Sequence, residues 1–141
     1  PVRYLVIGVF GAFGAMARYA IDGFVDHRNA GQFPWGIFAV NIIGCFLIGL
    51  LMAWATERWA PHTGWRLALG VGFLGAFTTF SAFSLDALLL VQHGQWLQAA
   101  AYVTGSVLLS LALTAGAWYA TSCALRCAAT NSSADIRRVV L

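Results

Sequence analysis

Apolar residues in this chain come neither in strict alternation nor in narrow stripes, but in four long blocks separated by brief polar segments. Twenty-eight residues without an Asp, Glu, Lys or Arg lie between Arg28 and Glu57, nineteen between Arg66 and Asp86, and thirty-nine between Asp86 and Arg126. A helix needs roughly 20 mostly apolar residues to cross a ~30 Å hydrocarbon layer. The pattern therefore predicts an all-α membrane protein with spans over about 4–24, 35–56, 65–91 and 96–125.

The intervening segments carry the charge and the turn formers: 22–32 (DGFVDHRNAGQ), 57–64 (ERWAPHTG) and 92–95 (QHGQ). Pro34 stands where a second helix opens. Residues 126–141 read as a polar, basic C-terminal tail. Trp35, Trp54, Trp59, Trp65, Trp96, Trp118, Tyr4 and Tyr119 fall near the ends of the blocks, as rings do at lipid headgroup level. The first block resembles a signal-peptide core, but Arg18 follows it directly and three more blocks come after, so it reads as a span.

Composition excludes whole classes of function. Of 141 residues 60% are hydrophobic and 9% charged, with a mean hydropathy of +0.77. A soluble domain carries about 25% charged residues to keep its surface in water. A soluble enzyme, a nucleic-acid binder and a disordered chain are all excluded on this ground. The net charge of +3 comes from eight arginines, none in a run interleaved with aromatics. Four spans put both termini on one side, with Arg3, Arg58, Arg66, Arg126, Arg137 and Arg138, against Arg28 and Arg18 opposite. That bias favours termini inside.

No enzyme chemistry is legible. His27, His62 and His93 lie in loops on no shared face, and no triad, metal cluster or phosphate loop appears. Cys45 reads as a small hydrophobe, and Cys123 and Cys127 as inert helical neighbours. Gly8, Gly11, Gly14 and Ala15 form a small-residue face for close helix packing in lipid. They follow no strand, so they are not a dinucleotide fingerprint.

Uncharged polar groups inside the spans carry what remains. Asn41 sits deep in span two, where an unpaired amide costs several kcal/mol. It is either interhelical glue or a pore-lining donor. Tyr102, Ser106, Ser110 and Thr114 recur every four residues and share one face of span four. In span three, Phe77, Phe80 and Phe83 form a stripe beside Thr78, Ser81 and Ser84; aromatic core packing is the default reading. Gly70, Gly72 and Gly75 with Thr78-Thr79 suit a broken helix, whose freed carbonyls need protein, water or a cation. Hydroxyls, an amide and the positive edges of phenyl rings together suit a small anion held weakly enough to pass.

At these residues the sequence resembles the bacterial fluoride channel family, Fluc or CrcB. The likeness covers about residues 4–125 and rests on Gly11 to Tyr19 (GAFGAMARY), Val40 to Gly49 (VNIIGCFLIG) and, most specifically, Gly72 to Ser84 (GFLGAFTTFSAFS). It implies an antiparallel, dual-topology homodimer in the inner membrane, with two pores along the subunit interface that let toxic cytoplasmic fluoride out passively. The pathway it implies holds Asn41, Phe80, Phe83, Ser84, Tyr102, Ser106, Ser110 and Thr114. Backbone carbonyls of Gly75 and Thr78 would hold a central structural sodium ion; Arg18, Thr79 and Asp86 are further family positions. Ile37, Ala82 and Asp86 depart from the family's commoner Thr or Ser, Thr and Glu.

The arginine bias pulls against strict dual topology and leaves room for an oppositely inserted homologue as partner. A proton-coupled exporter of the small multidrug-resistance kind is the alternative. It needs a carboxylate within span one, where this chain has Arg18, with Asp22 at the exit. A non-conducting assembly subunit is a third reading.

Overall fold

A computed structural model describes residues 2–29, 31, 33–57 and 63–140, and its described residues contain helices and no strand. Helix α1 (Val2–Arg28) leads to α2 (Trp35–Glu57). Span three is composite: α3 (Thr63–Arg66) runs into a π-helix (Leu67–Leu74), then α4 (Gly75–Phe77) and, after a break, α5 (Phe80–Gln92). Helix α6 (Trp96–Val140) completes four membrane-length segments among the described residues. Arg58, Trp59 and His62 lie outside the described residues, as do the side chains of Arg137 and Arg138.

Two contacts fix how the segments alternate across the membrane. At one end the Asp26 carboxylate accepts from the Gly36 amide at 2.8 Å, tying the exit of α1 to the entry of α2. At the other end Arg126 donates from Nη2 and Nε to Glu57 Oε1, at 2.6 and 2.9 Å, tying the exit of α2 to α6.

The first of these contacts explains why α1 outruns its expected end near residue 24. Asp22, Gly23 and Asp26 look like turn formers, but Asp26 has a partner across the loop, and Arg28 lies over the Phe24 ring at 4.2 Å. His27 and Arg28 then occupy the last helical turn, where cations complement the helix dipole. His27 is therefore helical and not in a loop. Helix α6 likewise continues past residue 125 to Val140.

Packing follows the small residues. Helix α1 lies along the π-helix, and a Cβ on Gly14 would strike the Phe73 carbonyl oxygen. Gly11 faces the Gly72 carbonyl, whereas Gly8 has nothing within 4 Å, so the contact uses only part of the small-residue face. Helix α2 lies along α6, where Gly49 fits against the backbone of Thr114. The core joins Ile37, Phe83, Leu90, Ala99 and a fully buried Tyr102, with Phe33 and Phe38 packed against them.

The π-helix has no counterpart in the expected pattern. Its last turn closes with the Gly75 amide donating to Gly70 and Gly72 carbonyls. Such widened turns occur in short stretches and often at functional sites. Here the single short turn of α4 separates it from the break.

Candidate ion pathway at the helix break

Thr78 and Thr79 leave the helix together, with φ/ψ of −76/153° and −148/121°. Two extended residues within a membrane segment free backbone groups that lipid cannot satisfy. Their partners are specific. The Thr79 amide donates to Asn41 Oδ1 at 2.9 Å, and Asn41 Nδ2 donates to the Thr79 carbonyl at 3.1 Å. Thr79 Oγ1 accepts from the Ala82 amide at 3.3 Å, capping the start of α5, and lies 3.1 Å from Ser81 Oγ. Thr78 Oγ1 donates to the Leu74 carbonyl at 3.0 Å.

Asn41 is thus the partner of the break, satisfying both backbone groups of one residue. An amide nitrogen has two donors, and the second remains for whatever occupies the adjoining groove. That groove, about 340 Å³, is lined by Asn41, Thr78, Thr79, Phe80, Phe83, Ser106 and Ser110, with Cys45, Val107 and Leu111. Among the described residues no formally charged side chain lines it. Ser106 is 5% exposed, and its hydroxyl has no partner among the described residues.

The break rearranges the aromatic stripe. Phe77 ends α4, buried and stacked on Phe73 at 5.8 Å and 9°. Phe80 starts α5 on the opposite side of the extended pair and is 78% exposed. It meets Phe83 at 5.4 Å, and Phe83 meets Tyr102 at 5.2 Å. The three-residue stripe is therefore corrected to a Phe80–Phe83–Tyr102 chain that excludes Phe77.

The four-residue ladder on α6 is also divided in its uses. Ser106 and Ser110 face the groove. Tyr102 donates to Asp86 Oδ2 at 3.3 Å, and Thr114 donates to the Cys45 carbonyl at 2.9 Å. Ser84 donates back to the Phe80 carbonyl at 2.9 Å and lies outside the groove lining. Arg18 Nε reaches the Ala76 carbonyl at 3.4 Å, just before the break.

Of the departing positions, Ile37 is buried in the core, Ala82 supplies the capping amide to Thr79, and Asp86 receives the tyrosine. The sequence reading passed over Cys45, Val107 and Leu111 as groove lining. Cys45 lies one turn beyond Asn41, and Val107 and Leu111 each follow a ladder serine, so the spacing contained the signal.

Two features bear on a cation. In an unbroken helix the Thr79 amide would close onto the Gly75 carbonyl, and the Ala82 amide onto the Thr78 carbonyl. Both amides are diverted, to Asn41 and to Thr79 Oγ1. Gly75 and Thr78 thus lose their helical donors, and both line a smaller cavity of about 160 Å³.

Residues 5–118 match the family described as CrcB-like protein, Camphor Resistance (CrcB). The chain belongs to the CrcB family. Among its relatives, the fluoride-specific ion channel FluC of Nitratidesulfovibrio vulgaris is 42% identical over 111 residues, 79% of this chain and 90% of that one. FluC 2 of Listeria monocytogenes is 48% identical over 103 residues, 73% of this chain and 78% of its own. FluC of Geobacter sulfurreducens is 46% identical over 114 residues, 81% and 90% of the two chains. As a CrcB chain with four membrane-length segments among its described residues, this is a multi-pass bacterial membrane protein and not an enzyme.

Proposed function

We propose that this chain is a fluoride channel that lets the ion leave the cytoplasm passively across the bacterial inner membrane. The observation that carries this reading is the uncharged groove beside the break. There an amide with a spare donor and a buried hydroxyl without a partner lie against Phe80 and Phe83. An anion entering it regains hydrogen bonds for those lost to water, from dipoles too weak to hold it for long. The names of the CrcB relatives point to the same ion.

The groove opens on the surface of a single chain, and Phe80 stands exposed at its edge. A second copy would supply the missing wall, and two antiparallel copies would form two equivalent pathways. Asn41, Phe80, Phe83, Ser106 and Ser110 then line each route, with Tyr102, Thr114 and Ser84 toward its ends and Thr79, Asp86 and Arg18 supporting it. The carbonyls of Gly75 and Thr78, deprived of helical donors, suit a sodium ion. Such an ion neutralises carbonyl dipoles and so holds the break together.

Purified protein in sealed liposomes loaded with fluoride tests the reading. A fluoride electrode should register rapid efflux once a potassium ionophore dissipates the countervoltage, while chloride-loaded liposomes release little. Equal rates for the two ions, or no flux from well-folded protein, would overturn it.

A further inference from the structure

Two cavities meet at the side chain of Cys45. It lies on α2, one helical turn beyond Asn41, and lines the 340 Å³ groove beside Phe80, Phe83 and Ser106. It also lines the smaller cavity of about 160 Å³ beside Gly75. Among the described residues only Thr78 shares both linings with it, and the Thr78 hydroxyl is spent on the Leu74 carbonyl. The Cys45 thiol is in no disulfide and is half-buried.

The place of this thiol is fixed from two sides. Thr114 on α6 donates to the Cys45 carbonyl at 2.9 Å. Gly44, just before it, lies so close to the break that a Cβ there would strike the Thr78 methyl group. A lone thiol is not a site, but Ser106 in the same lining is 5% exposed and its hydroxyl has no partner among the described residues. A buried hydroxyl is rarely left unsatisfied, so the groove is built for an occupant that reaches the depth of Cys45. Entry is past Phe80, which stands 78% exposed at the edge.

We infer that the Cys45 thiol is a modification site inside the ion pathway, taken by small uncharged thiol reagents, and that the group added there closes the groove between Asn41 and Ser106. The block rests on the groove being the route of the ion; the modification does not. The lining carries no formal charge among the described residues, which suits a neutral reagent such as methyl methanethiosulfonate. The step is an exchange at sulfur. The Cys45 proton leaves to water, its sulfur bonds the methylthio sulfur, and methanesulfinate departs with the electron pair of the broken sulfur–sulfur bond. An apolar methylthio group then stands among the donors that replace the ion's water, where a hydrophobic constriction stops passage.

The test uses the full chain in fluoride-loaded liposomes, with the exposed Cys123 and Cys127 changed to serine. Methyl methanethiosulfonate should add one methylthio group per chain, seen by mass spectrometry, and efflux should be lost; dithiothreitol should reverse both. Phe80→Ala, which widens the entry, should quicken the labelling, and fluoride at a concentration that saturates efflux should slow it. Cys45→Ser should take no label, and its efflux should be indifferent to the reagent. A folded protein that takes no label although the denatured chain does, or a labelled one whose efflux is undiminished, would overturn the inference. So would equal loss of efflux in Cys45→Ser. Untreated protein that passes no fluoride, yet labels at Cys45 faster in Phe80→Ala, would overturn the channel reading and uphold the modification site.

Discussion

Replacing Asn41 by alanine removes both partners of Thr79 at once. The Thr79 amide and carbonyl, now bonded at 2.9 and 3.1 Å to the Asn41 side chain, would be left in a half-buried setting with no helical neighbour to accept or donate. Stranding one buried polar group costs about 1–3 kcal/mol, so the pair sets the loss at about 2–6 kcal/mol. That is a large share of a typical folding free energy. Asn41→Asp should fare no better, since it keeps an acceptor for the amide but turns a donor into a negative oxygen facing a carbonyl. Thermal unfolding in detergent, followed by tryptophan fluorescence, reads the loss as a lowered Tm, and hydrogen exchange at the Thr79 amide should quicken in the folded protein. The flux assay should show reduced efflux in the same variants. An Asn41→Ala protein whose stability lies within ~0.5 kcal/mol of wild type, with Thr79 exchange unchanged, would refute this account of the break.

Three other substitutions separate structure from conduction. Ser106→Ala deletes a buried hydroxyl that bonds nothing among the described residues; stability should stay within ~0.5 kcal/mol, while fluoride efflux should fall about tenfold, the worth of one hydrogen bond to an ion. Phe80→Ala removes a ring that is 78% exposed on one chain, so unfolding of the separated subunit should be unaffected and flux should drop. Gly14→Leu drives a side chain into the Phe73 backbone; thermal denaturation should report a destabilisation of about 1–3 kcal/mol or more, with α1 and the π-helix splayed.

The spans were legible because lipid imposes a rule on sequence: every crossing must be long, apolar and internally hydrogen-bonded. The break was legible too, since paired threonines among glycines have few other uses in a membrane segment. Asn41 was visible as an anomaly, but its partner lies thirty-eight residues away, and nothing local announces Thr79. The aromatic stripe misled for a related reason. Counting by threes assumes one continuous helix, and across the extended pair at Thr78 and Thr79 Phe77 stays buried on Phe73 while Phe80 stands exposed beside Phe83. The π-helix left no periodic trace in the sequence, where its glycines read only as small residues; Gly72 packs closely on Ile7 and Phe10 of α1. The end of α1 was misplaced because Asp26, a turn former by habit, is satisfied across the loop by Gly36.

Helix α6 has a consequence for anyone imaging this molecule. At about 1.5 Å per residue its 45 residues extend about 68 Å, more than twice the thickness of a ~30 Å hydrocarbon core. Part of it must stand clear of the bilayer like a mast. Two copies inserted in opposite senses would raise one mast on each face, and two inserted alike would raise both on the same face. A silhouette too coarse to resolve any side chain would therefore distinguish the two insertions, as would a protease confined to the outside of sealed vesicles, which would trim half of the masts in one case and all or none in the other.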